Sequence, residues 1–262
     1  LTDIAQHLIT AGGKRYRPLL TQVAAELGGD TGENSVEAGV AVELVHLGSL
    51  YHDDVIDEAD ARRGKSSVNT NWSNTIAILA GDFLLARASE VTAPLGEKAV
   101  TLIARTYAEL CEGQVSELVY AHSLSHGVEG YYTVIGNKTA SLIRTSARLG
   151  AMTGGADDDT IEAISEWAWE MGMVFQITDD VLDLVLAQAG LRRHLGHEGV
   201  VVGRVDLGGV RGRGRLGDQL QDLGLREVPG GRVLDGSLHL LGQCPLQVVE
   251  HDLQRDGGGG DW

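Results

Sequence analysis

An all-α fold is predicted by three features of the sequence. Ala, Leu, Val and Ile recur at spacings of three and four across residues 1–184, as on helices with an apolar face. The stretches 36–56 and 161–184 are each long enough for several turns. No segment sustains period-two alternation, and the breaks are glycine-containing or polar, as at Gly28-Gly29-Asp30, Arg63-Gly64-Lys65 and Gly154-Gly155-Ala156. Asp157, Asp158 and Asp159 before Thr160 predict an N-cap with negative charge where the helix dipole favours it.

With 262 residues and 43% hydrophobic content, the chain can bury one sizeable core. Its formal charge of -16 excludes the basic stripe that nucleic-acid binding requires. Cys111 and Cys244 stand in no metal-like or redox spacing, so neither a disulfide framework nor a zinc site is expected, and a reducing cytoplasm fits. There is no apolar run of about 18 residues and no basic-then-apolar leader, so no membrane span or export is expected. The abrupt opening at Leu1-Thr2-Asp3, already helix-like, suggests an upstream segment.

The character changes after Leu184. Half of the 36 glycines lie there, and Lys, Ile, Thr, Phe, Tyr, Asn and Met are absent. A Gly/Arg-rich segment of this kind buries too little surface to offset ordering entropy, so a poorly ordered tail is expected over 185–262. The residue types that vanish are mostly those with AT-rich codons, which suggests an out-of-frame reading of a GC-rich gene from near residue 185. A natural Gly/Arg-rich tail is the alternative.

The strongest chemical signal is Asp53-Asp54-Val55-Ile56-Asp57 at the end of a helical pattern. Positions i and i+4 share a helix face, so Asp53 and Asp57 project together with Asp54 beside them. Hard Mg²⁺ favours such a partial oxygen shell, completed by water and phosphate. A second copy, Asp179-Asp180-Val181-Leu182-Asp183, follows about 125 residues later, with Gln176 three residues before it. A single acidic cluster on a helix is usually a solvated face. Two copies in otherwise apolar helices point instead to shared cations that relieve carboxylate repulsion.

Cations accompany them. Gly12-Gly13-Lys14-Arg15-Tyr16-Arg17-Pro18 packs three cations ahead of a helix-starting proline, a pattern suited to gripping a diphosphate. Arg62 and Arg63 follow the first acidic motif closely enough to reach the same phosphates, and two basic sites beside two acidic ones imply two anionic substrates. His46 stands two helical turns before Asp53, where it could donate to phosphate or serve packing alone. Lys138-Thr139 follow a break at Gly136-Asn137. Gln114 and Gln176 lie in apolar helices, where an amide needs partners and ligand oxygens are one option.

Taken in order, GGKRYRP, HLGSLYHDDVIDEADARRG, GNKTASLI and FQITDDVLD resemble the trans-polyprenyl diphosphate synthases over residues 1–184. The resemblance implies an all-helical bundle around a central cavity, and a homodimer. It implies Asp53 and Asp57 as first-motif Mg²⁺ ligands and Asp179 as the principal second-motif ligand, with Asp54, Asp180 and Asp183 supporting the shell and three ions in all. Lys14, Arg17, His46 and Arg63 match positions that hold isopentenyl diphosphate. Arg62, Lys138, Thr139 and Gln176 match those that hold the allylic diphosphate. The chemistry is thus expected to rest on Asp53, Asp54, Asp57, Lys138, Asp179 and Asp180.

The implied reaction ionises the allylic diphosphate with Mg²⁺, Arg and Lys neutralising the departing charge. The alkene of isopentenyl diphosphate then attacks the cation, and a proton is lost to the released diphosphate. An apolar, water-poor cavity protects the cation. Gly48 and Ser49, upstream of Asp53, are small where short-chain members often carry aromatics, so a product of twenty carbons or more is expected. Product release would need at most peripheral membrane contact.

Members of the family continue past the second motif with a Gly-Lys site and more helices, which are not recognisable here. Their loss would open one side of the cavity, expose apolar surface and put the activity of this chain in question. Two alternatives remain: a non-catalytic subunit of a heteromeric synthase, and a terpene cyclase, which usually lacks the GGKRYRP grip and has a different second metal motif.

Overall fold

The computed structural model describes residues 1–121 and 126–188, the last three by backbone alone. These residues belong to the first of the chain's two units, Leu1–Asp206. Of the expected tail, residues 185–188 are helical, and the rest of it, with Cys244, lies outside the described residues. The helices are α1 (Thr2–Ala5), α2 (His7–Thr10), α3 (Tyr16–Ala25), α4 (Glu33–Ile56), α5 (Val68–Asn71), α6 (Asn74–Thr92), α7 (Glu97–Tyr120), α8 (Gly127–Ile135), α9 (Ser141–Thr153) and α10 (Asp158–Gln188). The fold class is all-α, as the sequence predicts. Among the described residues, no helix is long and apolar enough to cross a membrane.

α4 is central because its small residues allow neighbours on several sides. Ala38, Gly39, Ala41 and Gly48 are buried along it together with Val42, Val45, Leu47 and Tyr51. At its crossing with α6, a Cβ on Gly48 would lie 3.2 Å from the Gly81 carbonyl oxygen. Gly48 is therefore small because two backbones meet there. The expectation that it helps set cavity depth is corrected on that ground, while Ser49 does line the cleft described below. α3 and α9 touch in the same way: a Cβ on Gly150 would stand 2.1 Å from the Thr21 carbonyl oxygen.

Local signals account for the element ends. Ser73 caps α6 by accepting from the Ile76 N–H at 3.2 Å. Asp157 accepts from the Thr160 N–H at 2.8 Å, the N-cap predicted for α10. This bond holds the Asp157 carboxyl below its usual range. The break expected at Gly136-Asn137 is not a break: Gly136–Ala140 form a π-helical turn that joins α8 to α9. Gly136 is needed there because a Cβ would come within 3.0 Å of the Trp169 ring. π turns of this kind often mark functional positions in helices.

The other departure from pure helix is small. Ala61–Arg62 (β1) and Lys65–Ser66 (β2) pair antiparallel, Ala61 with Ser66 and Arg62 with Lys65. Arg63 and Gly64 both have positive φ, 52° and 72°, as the tight turn between paired strands requires. The hairpin follows α4 directly and aims two arginines back toward it.

Candidate active site

The first acidic motif occupies the last turn of α4, with Asp57 as its C-cap. Asp54 faces inward and is fully buried. The Nε–H of Arg62 donates to Asp54 Oδ1 at 2.5 Å, while Oδ2 has no hydrogen-bond partner. Burial raises the Asp54 carboxyl, Arg62 opposes that, and Asp57 adds to it. Asp53 is partly buried. Its carboxyl is pushed up to about 6, chiefly by burial and further by Asp57 and Glu117, against the pull of Lys138 and Arg62.

The basic segment converges on α4 from the other side. His46 is pushed well below its ordinary range by burial first and then by Arg17, Arg63, Arg62 and Arg15, so it is neutral at physiological pH. The charges of four arginines from two sequence motifs thus act on one imidazole. Arg63 Nη1 donates to the Gly12 carbonyl at 2.7 Å, and a Cβ on Gly13 would lie 2.9 Å from that nitrogen. Gly13, at φ 131°, keeps the room for the guanidinium. Arg15 is drawn out of the expected grip: it donates to Glu43 at 2.5 Å and to the Ile9 carbonyl at 2.6 Å. Its φ of 49° turns it away ahead of α3, leaving Lys14 exposed and Arg17 partly buried.

The second acidic motif belongs to a hydrogen-bonded chain. Thr139 donates to Gln176 Oε1 at 2.7 Å, Gln176 Nε2 donates to Asp180 Oδ1 at 2.9 Å, and Tyr131 donates to Asp180 Oδ2 at 2.6 Å. Burial and this bond to Asp180 raise the Tyr131 hydroxyl and keep it protonated. Asp180 is buried, whereas Asp179 and Asp183 are partly buried on the same helix. Being four residues apart, Asp179 and Asp183 share a face of α10.

Glu117 of α7 joins the two motifs, and sequence reading passed it over. Lys138 Nζ donates to Glu117 Oε2 at 2.5 Å, and both side chains are largely buried. Burial raises the Glu117 carboxyl, Lys138 lowers it, and both Asp57 and Asp180 add to the rise. One carboxylate therefore feels both acidic motifs. No local sequence signal marks it, because a single glutamate on an amphipathic helix reads as a solvated charge.

A cleft of about 250 Å³ opens beside Asp53, lined by Ser49, Ile56, Leu110, Gln114, Leu118 and Lys138 among others. Asp53 and Lys138 line it alongside apolar Ile56, Leu110, Val115 and Leu118. Val115, Leu118 and Val119 of α7 and Val174, Phe175, Val181, Leu182, Leu184 and Val185 of α10 are exposed. Among the described residues, no three carboxylate, histidine or cysteine side chains are close enough to form a metal cage unaided. The donor set nevertheless fits Mg²⁺, which takes few protein ligands and keeps water and phosphate oxygens. Burial first, and neighbouring carboxylates after it, raise the Asp53 and Glu117 carboxyls, and a bound cation would favour their charged forms.

The described residues form a helical bundle that carries two acidic motifs on helices, Arg62 paired with the first, and a largely apolar cleft beside Asp53. The family model described as polyprenyl synthetase matches residues 1–197, and the chain belongs to that family. It is 45% identical over 185 residues to a nonaprenyl diphosphate synthase of Mycobacterium tuberculosis, covering 70% of this chain and 55% of that protein. It is 39% identical over 199 residues to component 2 of the heptaprenyl diphosphate synthase of Geobacillus stearothermophilus, covering 76% and 62%. A polyprenyl synthase from Caulobacter crescentus, solved with calcium and isoprenyl diphosphate, superposes with a TM-score of 0.67 at 38% identity, covering 70% of this chain and 56% of that one. The chain thus spans a little over half the length of these relatives.

Proposed function

We propose that this chain carries the catalytic half of a prenyltransferase that condenses isopentenyl diphosphate with an allylic diphosphate to give a longer trans-polyprenyl diphosphate. The observation that supports this most directly is Glu117, which accepts from Lys138 at 2.5 Å and whose carboxyl is raised by burial first, with Asp57 of the first acidic motif and Asp180 of the second adding to the rise. Asp53, Asp57, Asp179 and Asp183 would hold Mg²⁺, three ions with substrate, and Glu117 stands ready to join them. Bound Mg²⁺ would offset the negative charge that grows on the departing diphosphate.

The residues divide the remaining work. Lys14, Arg17 and Arg63, with neutral His46 as a hydrogen-bond donor, hold isopentenyl diphosphate, whose diphosphate is not cleaved. Arg62, Lys138 and Thr139 orient the allylic diphosphate, and Gln176 fixes Thr139 and Asp180 relative to each other. Asp54 anchors Arg62 through their buried pair. The apolar cleft walls exclude water from the allylic cation.

In this reading residues 1–184 form an incomplete catalytic domain, and 185–262 are an atypical tail from an out-of-frame reading. A cytoplasmic homodimer is part of the same proposal, although the Geobacillus relative is by name one component of a synthase. The test is turnover of labelled isopentenyl diphosphate with several allylic primers, with Mg²⁺ or with chelator, on this chain and on a frame-restored version. Mg²⁺-dependent elongation by the restored form is expected; its absence from both forms would end the transferase reading.

Ser49 carries a further expectation. It lines the cleft beside Asp53, its hydroxyl donating to the His46 carbonyl at 2.8 Å. Replacing it by phenylalanine fills a cleft of only about 250 Å³, so Ser49→Phe should shorten the main product by at least one five-carbon unit. Chromatography of the products measures this directly, and an unchanged length, or a main product of only fifteen carbons from the unsubstituted protein, contradicts the cavity assignment.

A further inference from the structure

We infer that Gln114 is a catalytic residue whose carboxamide faces the allylic carbon as its bond to diphosphate breaks. The inference rests on the transferase reading above. Gln114 lies midway along α7, after Gly113, where a Cβ would stand 2.9 Å from the Lys138 backbone nitrogen. That glycine lets α7 press against the π turn beside Gln114. The cleft it lines also carries Asp53 and Lys138, together with Leu110, Val115 and Leu118.

Both Oε1 and Nε2 of Gln114 are buried without a hydrogen-bond partner, and no other described side chain has two such atoms. Buried amides in native proteins are normally satisfied, so an orphan that lines a cleft marks a place where a ligand completes the bonding. Gln176 offers the contrast, because its amide is already engaged at both ends, by Thr139 and Asp180. Of the two glutamines in the site, Gln114 is the one with capacity to spare.

The chemistry explains why an amide stands there. When the carbon–oxygen bond of the allylic diphosphate breaks, the electron pair leaves with the diphosphate oxygen and positive charge remains on the allyl group. The carbonyl end of a fixed amide offers that charge the negative end of a dipole. The NH₂ end can donate to the departing diphosphate. The alkene of isopentenyl diphosphate then supplies the electron pair of the new carbon–carbon bond, and the proton lost passes to the released diphosphate. A carboxylate in this position could capture the cation covalently, and an aliphatic side chain would offer it no dipole.

Gln114→Leu and Gln114→Met test this by calorimetric titration with two probes in Mg²⁺ buffer: inorganic diphosphate alone, and a prenyl ammonium salt added with diphosphate. The ammonium stands in for the cation and needs no turnover. Both variants should melt at or above the temperature of the unsubstituted protein, since they remove an unsatisfied buried amide. They should bind diphosphate within about twofold of it and the ammonium about tenfold more weakly. Unchanged ammonium binding, or a drop in melting temperature with parallel loss of both ligands, overturns the inference and leaves the transferase reading standing. Failure of the unsubstituted protein to bind diphosphate overturns both.

Discussion

Replacing Asp53 by asparagine should abolish prenyl transfer and, in the same variant, make the ligand-free protein harder to unfold. Burial, Asp57 and Glu117 press on the Asp53 carboxyl until it titrates at about 6 instead of its ordinary 3.8. Each tenfold change in a carboxyl's proton affinity on folding is worth about 1.4 kcal/mol, and solvent screening reduces the sum, so a gain of about 2 kcal/mol is expected when the charge is removed. That is several degrees of melting temperature for a domain of this size. The transfer rate should fall by about a thousandfold, the scale of losing a group that stabilises transition-state charge.

The pH dependence carries a definite sign. Between the unfolded and folded values, about 4 and about 6, the folded state holds the Asp53 proton more tightly than the unfolded chain does. This contribution to stability is complete below the lower value, is lost as pH rises through the upper one, and is flat beyond it. Mg²⁺ should stabilise the unsubstituted protein at pH 7 and do so much less for Asp53→Asn. Thermal melts from pH 4 to 8 with and without Mg²⁺ measure all of this, and a variant that melts lower than its parent at pH 7 would refute the electrostatic account.

The second large effect is on folding. Asp54 has no exposed side-chain surface and Arg62 very little, and their 2.5 Å contact is the charge compensation Asp54 receives from its hydrogen-bond partners. Removing one member of a buried pair leaves an uncompensated charge and costs about 3–5 kcal/mol, more than such a pair contributes over an apolar replacement. Arg62→Met should therefore destabilise by about that amount at neutral pH and recover as acid protonates Asp54. The double variant Arg62→Met, Asp54→Leu should regain most of the loss. Urea unfolding of the three proteins decides the matter: a single-variant loss below about 1 kcal/mol would show the pair to be solvent-screened. In either variant the allylic diphosphate should bind weakly, because both lack Arg62.

Much of this is legible in the amino-acid sequence alone. The apolar spacing of 36–56 and 161–184 falls within α4 and α10, the Asp157 cap is where the sequence puts it, and both acidic motifs ride on helices. Those are consequences of near-neighbour chemistry. Glu117 was not legible, since a lone glutamate on an amphipathic helix reads as a solvated charge until Lys138 is seen bonded to it. The π turn was hidden for a related reason. Gly136 reads as a stop, yet its missing side chain is what lets Trp169 close on a continuous helix.

Local periodicity and i, i+4 spacing depend on a few bonds along one chain, so the sequence by itself determined the helices, the pairing of Asp53 with Asp57, and the family. Which charges share a site depends on helices that meet from far apart in sequence. Only the tertiary structure decided that Arg15 turns to Glu43 while Arg63 stays against Gly13, that Asp180 rather than Asp179 joins the Gln176 and Tyr131 network, and that Gln114 is left with an amide to spare. Each of these is settled by competition for burial and for hydrogen-bond partners, which no stretch of sequence contains on its own.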